Sequence, residues 1–135
     1  MRQCKKNTET EMNNQEGHKT WIIPDGWLPP AGGSGDMINH ESLMILNTGS
    51  EKAQIIIDIY FGDREPVCDL PLSVDAERIK AIRLDLPDEL GFELPRATQY
   101  ALRIKSDVKV IVQYGRMDVR QPNLAYYGTM AYPIQ

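Results

Sequence analysis

Short apolar runs rich in β-branched residues, each ending in turn residues, constrain the fold of this chain more than any other feature. From Ser42 onward these runs recur at roughly the 8–12-residue spacing that is typical of sandwiches and barrels. The run from Ala53 to Phe61 is dense in isoleucine and ends at Gly62-Asp63. Such content favours strand over helix. The pattern predicts an all-β fold, a single-domain antiparallel β-sandwich of about eight strands.

Several individual strands follow from the same pattern. Residues 43–46 predict a strand, and the turn at residues 47–50 predicts that it forms a hairpin with the next run. The segment 66–74 carries Pro71, which confines it to a sheet edge or a bulge. Residues 75–86 have the propensity of a helix, but their alternating side chains and strand-like neighbours favour a strand.

The ends of the predicted sandwich are also visible in the sequence. Residues 21–23 predict a short first strand, followed by a turn-rich stretch whose glycine segment, 32–36, is interpreted as a flexible linker. Alternating segments at 100–105 and 108–113 predict a hairpin with Ser106-Asp107 as its turn. Residues 123–134 predict a last strand docked on the sheet.

The domain boundaries follow from where apolar residues begin. Residues 1–18 are almost entirely polar and predict a flexible N-terminal extension, which leaves residues 19–135 as the folded domain. No stretch approaches the roughly 20 apolar residues of a membrane span, and no apolar segment of a signal peptide is present. Cys4 and Cys68 form no disulfide framework. We expect a cytoplasmic protein that is not embedded in a membrane.

Charge and motif content argue against most catalytic functions. The net charge of −4 disfavours non-specific attraction to nucleic acid, so DNA is not the default partner. The two histidines, His18 and His40, accompany no metal-binding spacing, so we expect no metal site, no cofactor and no enzyme activity. Asp63 with Glu65 offers a glycosidase-like carboxylate pair, but a solvated turn is the favoured interpretation.

Polar residues at strand ends suggest a binding site instead. Side chains that converge on a concave sheet would suit polyhydroxylated or anionic ligands, through bidentate hydrogen bonds and aromatic stacking. Trp21 or Trp27 would supply the stacking surface. The predicted ligand-binding residues are Trp21, His40, Glu41, Tyr60, Asp63, Gln113, Arg116 and Asp118. Each also has an ordinary structural interpretation, such as a surface ion pair between Arg116 and Asp118.

Basic residues on the predicted strands raise a second possibility. If they share one sheet face, they would form a patch able to contact DNA or an acidic protein surface. A solvated outer face with acidic residues interspersed is the alternative. The residues assigned to this face are Arg78, Lys80, Arg103 and Lys105.

Five segments in a fixed order make the sequence similar to a known family. They are Trp21-Ile22-Ile23-Pro24-Asp25-Gly26, His40-Glu41-Ser42-Leu43-Met44-Ile45-Leu46-Asn47, Ile59-Tyr60-Phe61-Gly62-Asp63-Arg64-Glu65-Pro66, Ala76-Glu77-Arg78-Ile79-Lys80-Ala81-Ile82-Arg83 and Val112-Gln113-Tyr114-Gly115-Arg116-Met117-Asp118-Val119-Arg120-Gln121. Over about residues 20 to 133 the chain resembles the sensory rhodopsin transducer family of small prokaryotic proteins. The polar extension before Trp21 departs from the family pattern.

The resemblance carries its own expectations. It implies a β-sandwich protomer, a homotetramer and no catalytic activity. Its members are regarded as signal transducers or as domains that bind small molecules such as sugars, and the namesake relays the state of a membrane photoreceptor and has been linked to DNA. Two hypotheses follow: a non-enzymatic sensor that binds a small ligand, or a relay protein that binds a membrane photoreceptor or DNA through the basic face.

Overall fold

Two antiparallel sheets that share one long strand make up the protein. The computed structural model describes residues 15–123 and 125–135. The strands are β1 (His18–Trp27), β2 (Gly33–Ser34), β3 (Met37–Ile38), β4 (His40–Asn47), β5 (Ala53–Phe61), β6 (Val67–Val74), β7 (Arg78–Arg83), β8 (Gln99–Asp118), β9 (Ala125–Met130) and β10 (Tyr132–Ile134). One short helix, α1 (Pro87–Leu90), lies between β7 and β8.

Strand β8 is interior to both sheets. The first sheet has the order β10-β1-β8-β5-β6, and the second has the order β9-β8-β4-β7. The N-terminal half of β8 pairs with β1 and β5, whereas its C-terminal half pairs with β4 and β9. Eight strands therefore form the sandwich, which confirms the predicted fold; β2 and β3 pair only with each other.

The core fills the space between the sheets because each strand turns alternate side chains inward. In β4 the buried positions are every second residue from Glu41 to Asn47. In β8 they are the even-numbered positions, 100–106 and then 110–114, together with Gly115, which has no side chain. The strand thus keeps one face inward along both sheets, and its apolar side chains contribute to a single hydrophobic cluster.

The predicted hairpin at Ser106-Asp107 is wrong, because the chain stays extended there as the middle of β8. The polar side chains that suggested a turn are satisfied within the sheet. Ser106 Oγ accepts the Val108 N–H at 3.3 Å, and Asp107 Oδ1 accepts the Gln54 N–H at 2.8 Å. Local turn chemistry therefore does not distinguish a bend in a long strand from a reversal.

The turn at residues 47–50 does not close a hairpin either, since β4 lies in the second sheet and β5 in the first. Asn47, fully buried, holds this crossing between sheets. Its Nδ2 donates to the carbonyls of Glu51 (2.8 Å), Val74 (3.2 Å) and Asp75 (3.2 Å), and its Oδ1 accepts the Gly49 N–H at 3.0 Å.

Two of the three remaining strand predictions are confirmed, and the third is correct only in part. Strand β6, which carries Pro71, pairs only with β5 and is an edge strand as predicted. The segment with helical propensity forms strand β7. The predicted last strand is two strands, β9 and β10, because the chain changes sheet at Ala131.

The glycine segment interpreted as a linker forms the β2–β3 hairpin. Gly33 has a φ of 93°, and a Cβ there would lie 2.1 Å from the Met37 carbonyl oxygen, so only glycine fits. Most of the predicted N-terminal extension, residues 1–14, lies outside the described residues. Gln15 Nε2 donates to the Lys109 carbonyl at 2.9 Å and β1 starts at His18, so contacts with the sheet precede the predicted boundary.

Candidate functional site

A buried carboxylate lies between the two sheets. Glu41 of β4 is 0% exposed. Its Oε1 accepts the Tyr100 hydroxyl proton at 2.7 Å, and its Oε2 accepts the Trp27 backbone N–H at 3.2 Å and Arg116 Nε at 3.1 Å. The carboxylate thus joins three strands, since Trp27 ends β1 while Tyr100 and Arg116 lie at opposite ends of β8.

Burial dominates the electrostatics of this group. It raises the pKa of Glu41 above its usual value of 4.5, although the donors Tyr100, Arg116 and Trp27 favour the ionised form. Burial and the neighbouring carboxylate also raise the pKa of Tyr100 well above 10.0. The tyrosine therefore remains a proton donor to Glu41 throughout the physiological pH range.

Two arginines face the indole ring of Trp27. The guanidinium carbon of Arg116 lies 5.9 Å from the ring centroid, and that of Arg120 lies 5.1 Å away. Both distances are within the range of cation–π attraction. Arg120 also forms an ion pair with Asp118 at 2.7 Å, which holds the pKa of that carboxyl below its usual range. Arg116, Arg120 and Asp118 thus form a polar cluster beside the Trp27 ring.

Tyrosines from β8 and β9 line the other side of Arg116. The register places Glu41, Arg116 and Tyr127 in one row across β4, β8 and β9, all on the inner face of the second sheet. Tyr114, two residues before Arg116, shares this face and contacts Tyr127 edge to face, with ring centroids 6.3 Å apart. We call Trp27, Glu41, Tyr114, Arg116 and Tyr127 the Arg116 site.

The Arg116 site is closed at β4 and open at β9. Glu41 is fully buried, whereas Tyr127 on the same face is 54% exposed, so the first sheet does not cover the inner face of β9. The Tyr114 hydroxyl is buried, and it is the one buried side-chain polar atom of the described residues without a hydrogen-bond partner. A buried hydroxyl without a partner costs about 1–3 kcal/mol, so it marks a position where a bound molecule or water would be stabilised.

The structure brings together three of the eight predicted ligand-binding residues. Glu41 and Arg116 form the buried pair, and Asp118 follows on the same face of β8. His40 and Gln113 project from the outer face of the second sheet, because each is offset by one residue from the buried positions. His40 Nδ1 bonds the Ile38 carbonyl oxygen at 2.8 Å.

The other three residues lie elsewhere. Trp21 is in the core rather than in the site: it is 5% exposed, and its Nε1 donates to the carbonyls of His18 (3.0 Å) and Val110 (2.9 Å). Tyr60 lies on the outer face of the first sheet beneath Arg103, which is 5.5 Å from its ring centroid.

Asp63 is in an exposed turn and forms an ion pair with Arg64 at 2.9 Å. That pairing lowers the pKa of Asp63, which is opposite to the change that a general acid needs. The turn therefore offers Asp63 and Glu65 no environment suited to glycosidase chemistry.

The four residues assigned to a basic face do not share one. Arg78 and Lys80 belong to β7 in the second sheet, whereas Arg103 and Lys105 lie in the half of β8 that belongs to the first sheet. Arg103 and Lys105 moreover contact the buried Asp58, at 2.8 and 3.2 Å. Burial would raise the pKa of Asp58, but the Asp69 N–H and these two cations together lower it.

Sequence reasoning missed part of the Arg116 site. The sequence offers Trp27 only as an alternative to Trp21, and it does not assign Tyr100, Tyr114 or Tyr127 to the binding site. The period of two along β8 does contain the signal, because Tyr114 precedes the predicted Arg116 by two residues. Nothing local indicates that Tyr100 or Tyr127 lies near them.

The described residues contain neither a metal-binding cluster nor a membrane-spanning helix. Among residues 15–123 and 125–135, no group of three or more His, Cys, Asp or Glu side chains is arranged to hold a metal ion. Over the same ranges, no helix has the length and apolar character needed to cross a bilayer.

Comparison with known proteins identifies the family. Residues 16–133 match the family model of the Anabaena sensory rhodopsin transducer. The crystal structure of Thermotoga maritima 1070 is 33% identical, covers 89% of this chain and 97% of its own, and has a TM-score of 0.78. The structure of the Anabaena sensory rhodopsin transducer is 40% identical, covers 79% of this chain and 94% of its own, and has a TM-score of 0.66. No curated protein matches the chain. The chain belongs to the Anabaena sensory rhodopsin transducer family.

Proposed function

We propose that this protein is a non-enzymatic signalling domain that binds a small polyhydroxylated molecule, such as a sugar, at the Arg116 site. The observation that carries the proposal is the Tyr114 hydroxyl, which is buried without a partner on a residue that shares the inner face of β8 with Arg116. A ligand hydroxyl that reached this position would supply the missing hydrogen bond.

The composition of the site suits such a ligand. Sugar hydroxyl groups both donate and accept, and the site offers a guanidinium donor in Arg116, which the buried Glu41 carboxylate holds in place. Within the described residues only Nε of Arg116 donates to Glu41, which leaves its terminal nitrogens to face a ligand. Trp27 and the exposed ring of Tyr127 supply flat apolar surfaces against which a sugar ring packs.

Calorimetric titration with a panel of monosaccharides and small organic acids tests the proposal. We expect at least one compound to bind the wild type, and we expect Arg116→Ala and Trp27→Ala each to weaken that binding by tenfold or more. Asp63→Asn is the matched control, because Asp63 lies in an exposed turn outside the site. Binding that survives both site substitutions, or that Asp63→Asn also removes, would assign the ligand to another place.

Non-enzymatic action is part of the proposal, and the surroundings of the candidate groups support it. His40 faces outward and bonds a backbone carbonyl, while Asp63 is tied to Arg64. Both oxygens of Glu41 are occupied by donors, from Trp27, Tyr100 and Arg116. Turnover of any bound ligand, abolished by Glu41→Gln, would contradict this part.

A relay to a protein partner is the second candidate function. The outer face of the second sheet presents exposed apolar side chains on three strands, and monomeric proteins rarely leave such patches uncovered. This outer patch consists of Leu46 (37% exposed), Ile79 (65%), Tyr126 (64%) and Met130 (54%). A relative is named for a sensory rhodopsin, so we propose a membrane photoreceptor as the partner.

The relay is tested by titrating the protein against a retinal photoreceptor held in lipid nanodiscs. We expect Ile79→Glu to weaken binding, because it places a charge in the outer patch. Gln54→Glu, on the outer face of the first sheet, should leave binding unchanged. Equal effects of the two substitutions would argue against the patch as the contact surface.

The proposal also covers the oligomeric state of the protein, its cellular location and DNA as an alternative partner. We propose a homotetramer in the cytoplasm, where the exposed thiol of Cys68 stays reduced. DNA is the weaker alternative partner, since the net charge is −4 and the predicted basic residues are divided between two sheets. Anisotropy of labelled duplex DNA at low ionic strength tests it, and binding that falls steeply with added salt would revive it.

A further inference from the structure

We infer that the ligand of the Arg116 site is an acidic sugar, whose carboxylate pairs with the terminal nitrogens of Arg116 while one of its hydroxyl groups bonds the Tyr114 hydroxyl. The inference rests on the proposed function and narrows it, from polyhydroxylated molecules in general to monosaccharides that carry one carboxylate. It follows from which hydrogen-bonding groups of the site are already occupied and which are free.

The carboxylates beside the Trp27 ring have no acceptor capacity left for a ligand. Glu41 is 0% exposed, so neither of its oxygens can be reached. Asp118 accepts four contacts, all from Arg120: the backbone N–H at 3.1 Å, Nε at 2.9 and 3.1 Å, and Nη2 at 2.7 Å. A carboxylate offers about four lone-pair positions, so these contacts fill Asp118. A neutral sugar that must donate its hydroxyl protons finds no carboxylate of this cluster free to accept them.

The side-chain groups that remain free mainly donate. Arg116 uses Nε for Glu41, and its two terminal nitrogens have no partner among the described residues. Over the same part of the chain, Trp27 Nε1 forms no hydrogen bond. A guanidinium and an indole N–H only donate, and only the buried Tyr114 hydroxyl can also accept. Free donors beside filled acceptors favour a ligand group that accepts without donating, and an ionised carboxylate is such a group.

The surroundings of Arg116 prepare it for a planar anion. Glu41 holds the guanidinium at Nε, at 3.1 Å, and the Trp27 ring centroid lies 5.9 Å from its central carbon. The two terminal nitrogens then present parallel N–H groups, which match the two oxygens of a carboxylate. The side chain is 25% exposed, so a ligand can reach it from solvent. Because the guanidinium is held before the ligand arrives, binding costs less side-chain entropy.

The charge balance of the site favours a ligand with one negative charge over a ligand with two. The positive charges of Arg116 and Arg120 are already matched by Glu41 and Asp118. Charge-assisted hydrogen bonds to Arg116 offset the desolvation of one carboxylate. A phosphate group carries up to two negative charges, and the second finds no unpaired cation within this cluster. An acidic sugar therefore fits the site better than a sugar phosphate does.

Tyr114 supplies a second contact for the same molecule. Tyr114 and Arg116 are two residues apart on the inner face of β8, so their Cα atoms lie about 7 Å apart along the strand. Tyr127 is paired with Arg116 across the sheet and contacts the Tyr114 ring edge to face. A sugar whose carboxylate lies on Arg116 therefore has its hydroxyl groups near this tyrosine pair. One of them provides the hydrogen bond that the Tyr114 hydroxyl lacks.

Calorimetric titration with matched sugars tests the inference. The pairs are glucuronate with glucose and galacturonate with galactose, because the members of each pair differ only in the carboxylate. The phosphate ester of glucose at the same carbon is the dianionic comparison. We expect the acid of at least one pair to bind the wild type tenfold or more tightly than its neutral sugar. A smaller preference in both pairs would overturn the inference, and so would tighter binding of the phosphate ester than of either acid.

The same titrations separate this inference from the proposed function. If a neutral sugar binds at the Arg116 site and neither acid binds more tightly, the inference fails while the proposed function stands. If no sugar binds, both fail.

Two conservative substitutions locate the contacts. Arg116→Lys keeps the positive charge and removes the planar pair of donors, so we expect the preference for the acid to fall to threefold or less. Tyr114→Phe removes only a hydroxyl that has no partner in the folded protein, so the fold is retained. We expect Tyr114→Phe to weaken binding of the acid threefold or more. A preference that survives Arg116→Lys, or binding that Tyr114→Phe leaves unchanged, would contradict the proposed orientation. Urea unfolding confirms that each variant is folded, and Tyr114→Phe with the wild-type comparison decides if Arg116→Lys is not.

Discussion

Removal of the Glu41 carboxylate tests whether the contact between the two sheets depends on a charged group. In Glu41→Ala, the Trp27 N–H and the Tyr100 hydroxyl lose their acceptor, and Arg116 loses its counter-charge. Breaking one side of a buried ion pair costs about 3–5 kcal/mol. The Arg116 side chain is 25% exposed and can turn toward water, so we expect the lower end, about 3 kcal/mol.

Urea unfolding of three variants measures this cost and its origin. The variants are Glu41→Ala, Arg116→Ala and the double substitution. Because the two side chains share a hydrogen bond, we expect their effects not to add. The double substitution should lower the free energy of unfolding by about 1–3 kcal/mol less than the sum of the two single losses. Additivity to within about 0.5 kcal/mol would show that the pair is not coupled and would refute the reasoning.

The pH dependence provides an independent check with a definite sign. Because burial raises the pKa of Glu41 above 4.5, the folded protein holds this proton more tightly than the unfolded chain does. The stability of the wild type relative to Glu41→Gln should therefore decrease as pH rises from 4.5 through the raised pKa. If the stability of the wild type relative to Glu41→Gln instead increases over this pH range, the three donors outweigh burial and the pKa of Glu41 is lowered.

Three further substitutions test other parts of the fold. Asn47→Ala should cost about 3 kcal/mol in urea unfolding, because it leaves one N–H and three carbonyls of the crossing without their partner; a loss below about 1 kcal/mol would contradict this role. Asp58→Asn should cost about 1–2 kcal/mol at neutral pH and less in acid, because the lowered pKa of Asp58 gives stability that is lost as pH falls below 3.8; a pH-independent cost would refute it. Gly26→Ala should lower the melting temperature strongly, since its Cβ would lie 2.3 Å from Cζ of the buried Tyr100 ring; an unchanged melting temperature would show that the ring moves.

Strand content was readable from the sequence because burial imposes a period of two. The alternation in segments 100–105 and 108–113, which became β8, indicated which side chains share a face, and Pro71 correctly marked an edge. The connections were less readable. Ser106-Asp107 has turn chemistry, but its hydrogen bonds go to neighbouring backbone in an extended chain.

The candidate site was predicted only where its residues follow a local pattern. Glu41 and Arg116 were named from strand ends, and the structure joins them across 75 positions of sequence. Trp21 and Trp27 look equivalent in sequence, and only the packing shows that Trp21 is in the core while Trp27 faces the arginines. Contacts of this range depend on sheet order, which a single sequence does not specify.

The position of β8 in both sheets has a consequence for biosynthesis. Strands β1, β4 and β5 leave the ribosome early, but each finds its main partner only in residues 99–118. Until that segment emerges, these three apolar strands lack their pairing with β8. Contacts between residues so distant in sequence also form slowly. The nascent chain therefore cannot complete either sheet before residues 99–118 emerge. A truncated product that ends before Gln99 would lack the shared strand of both sheets and would be a substrate for chaperones and proteases.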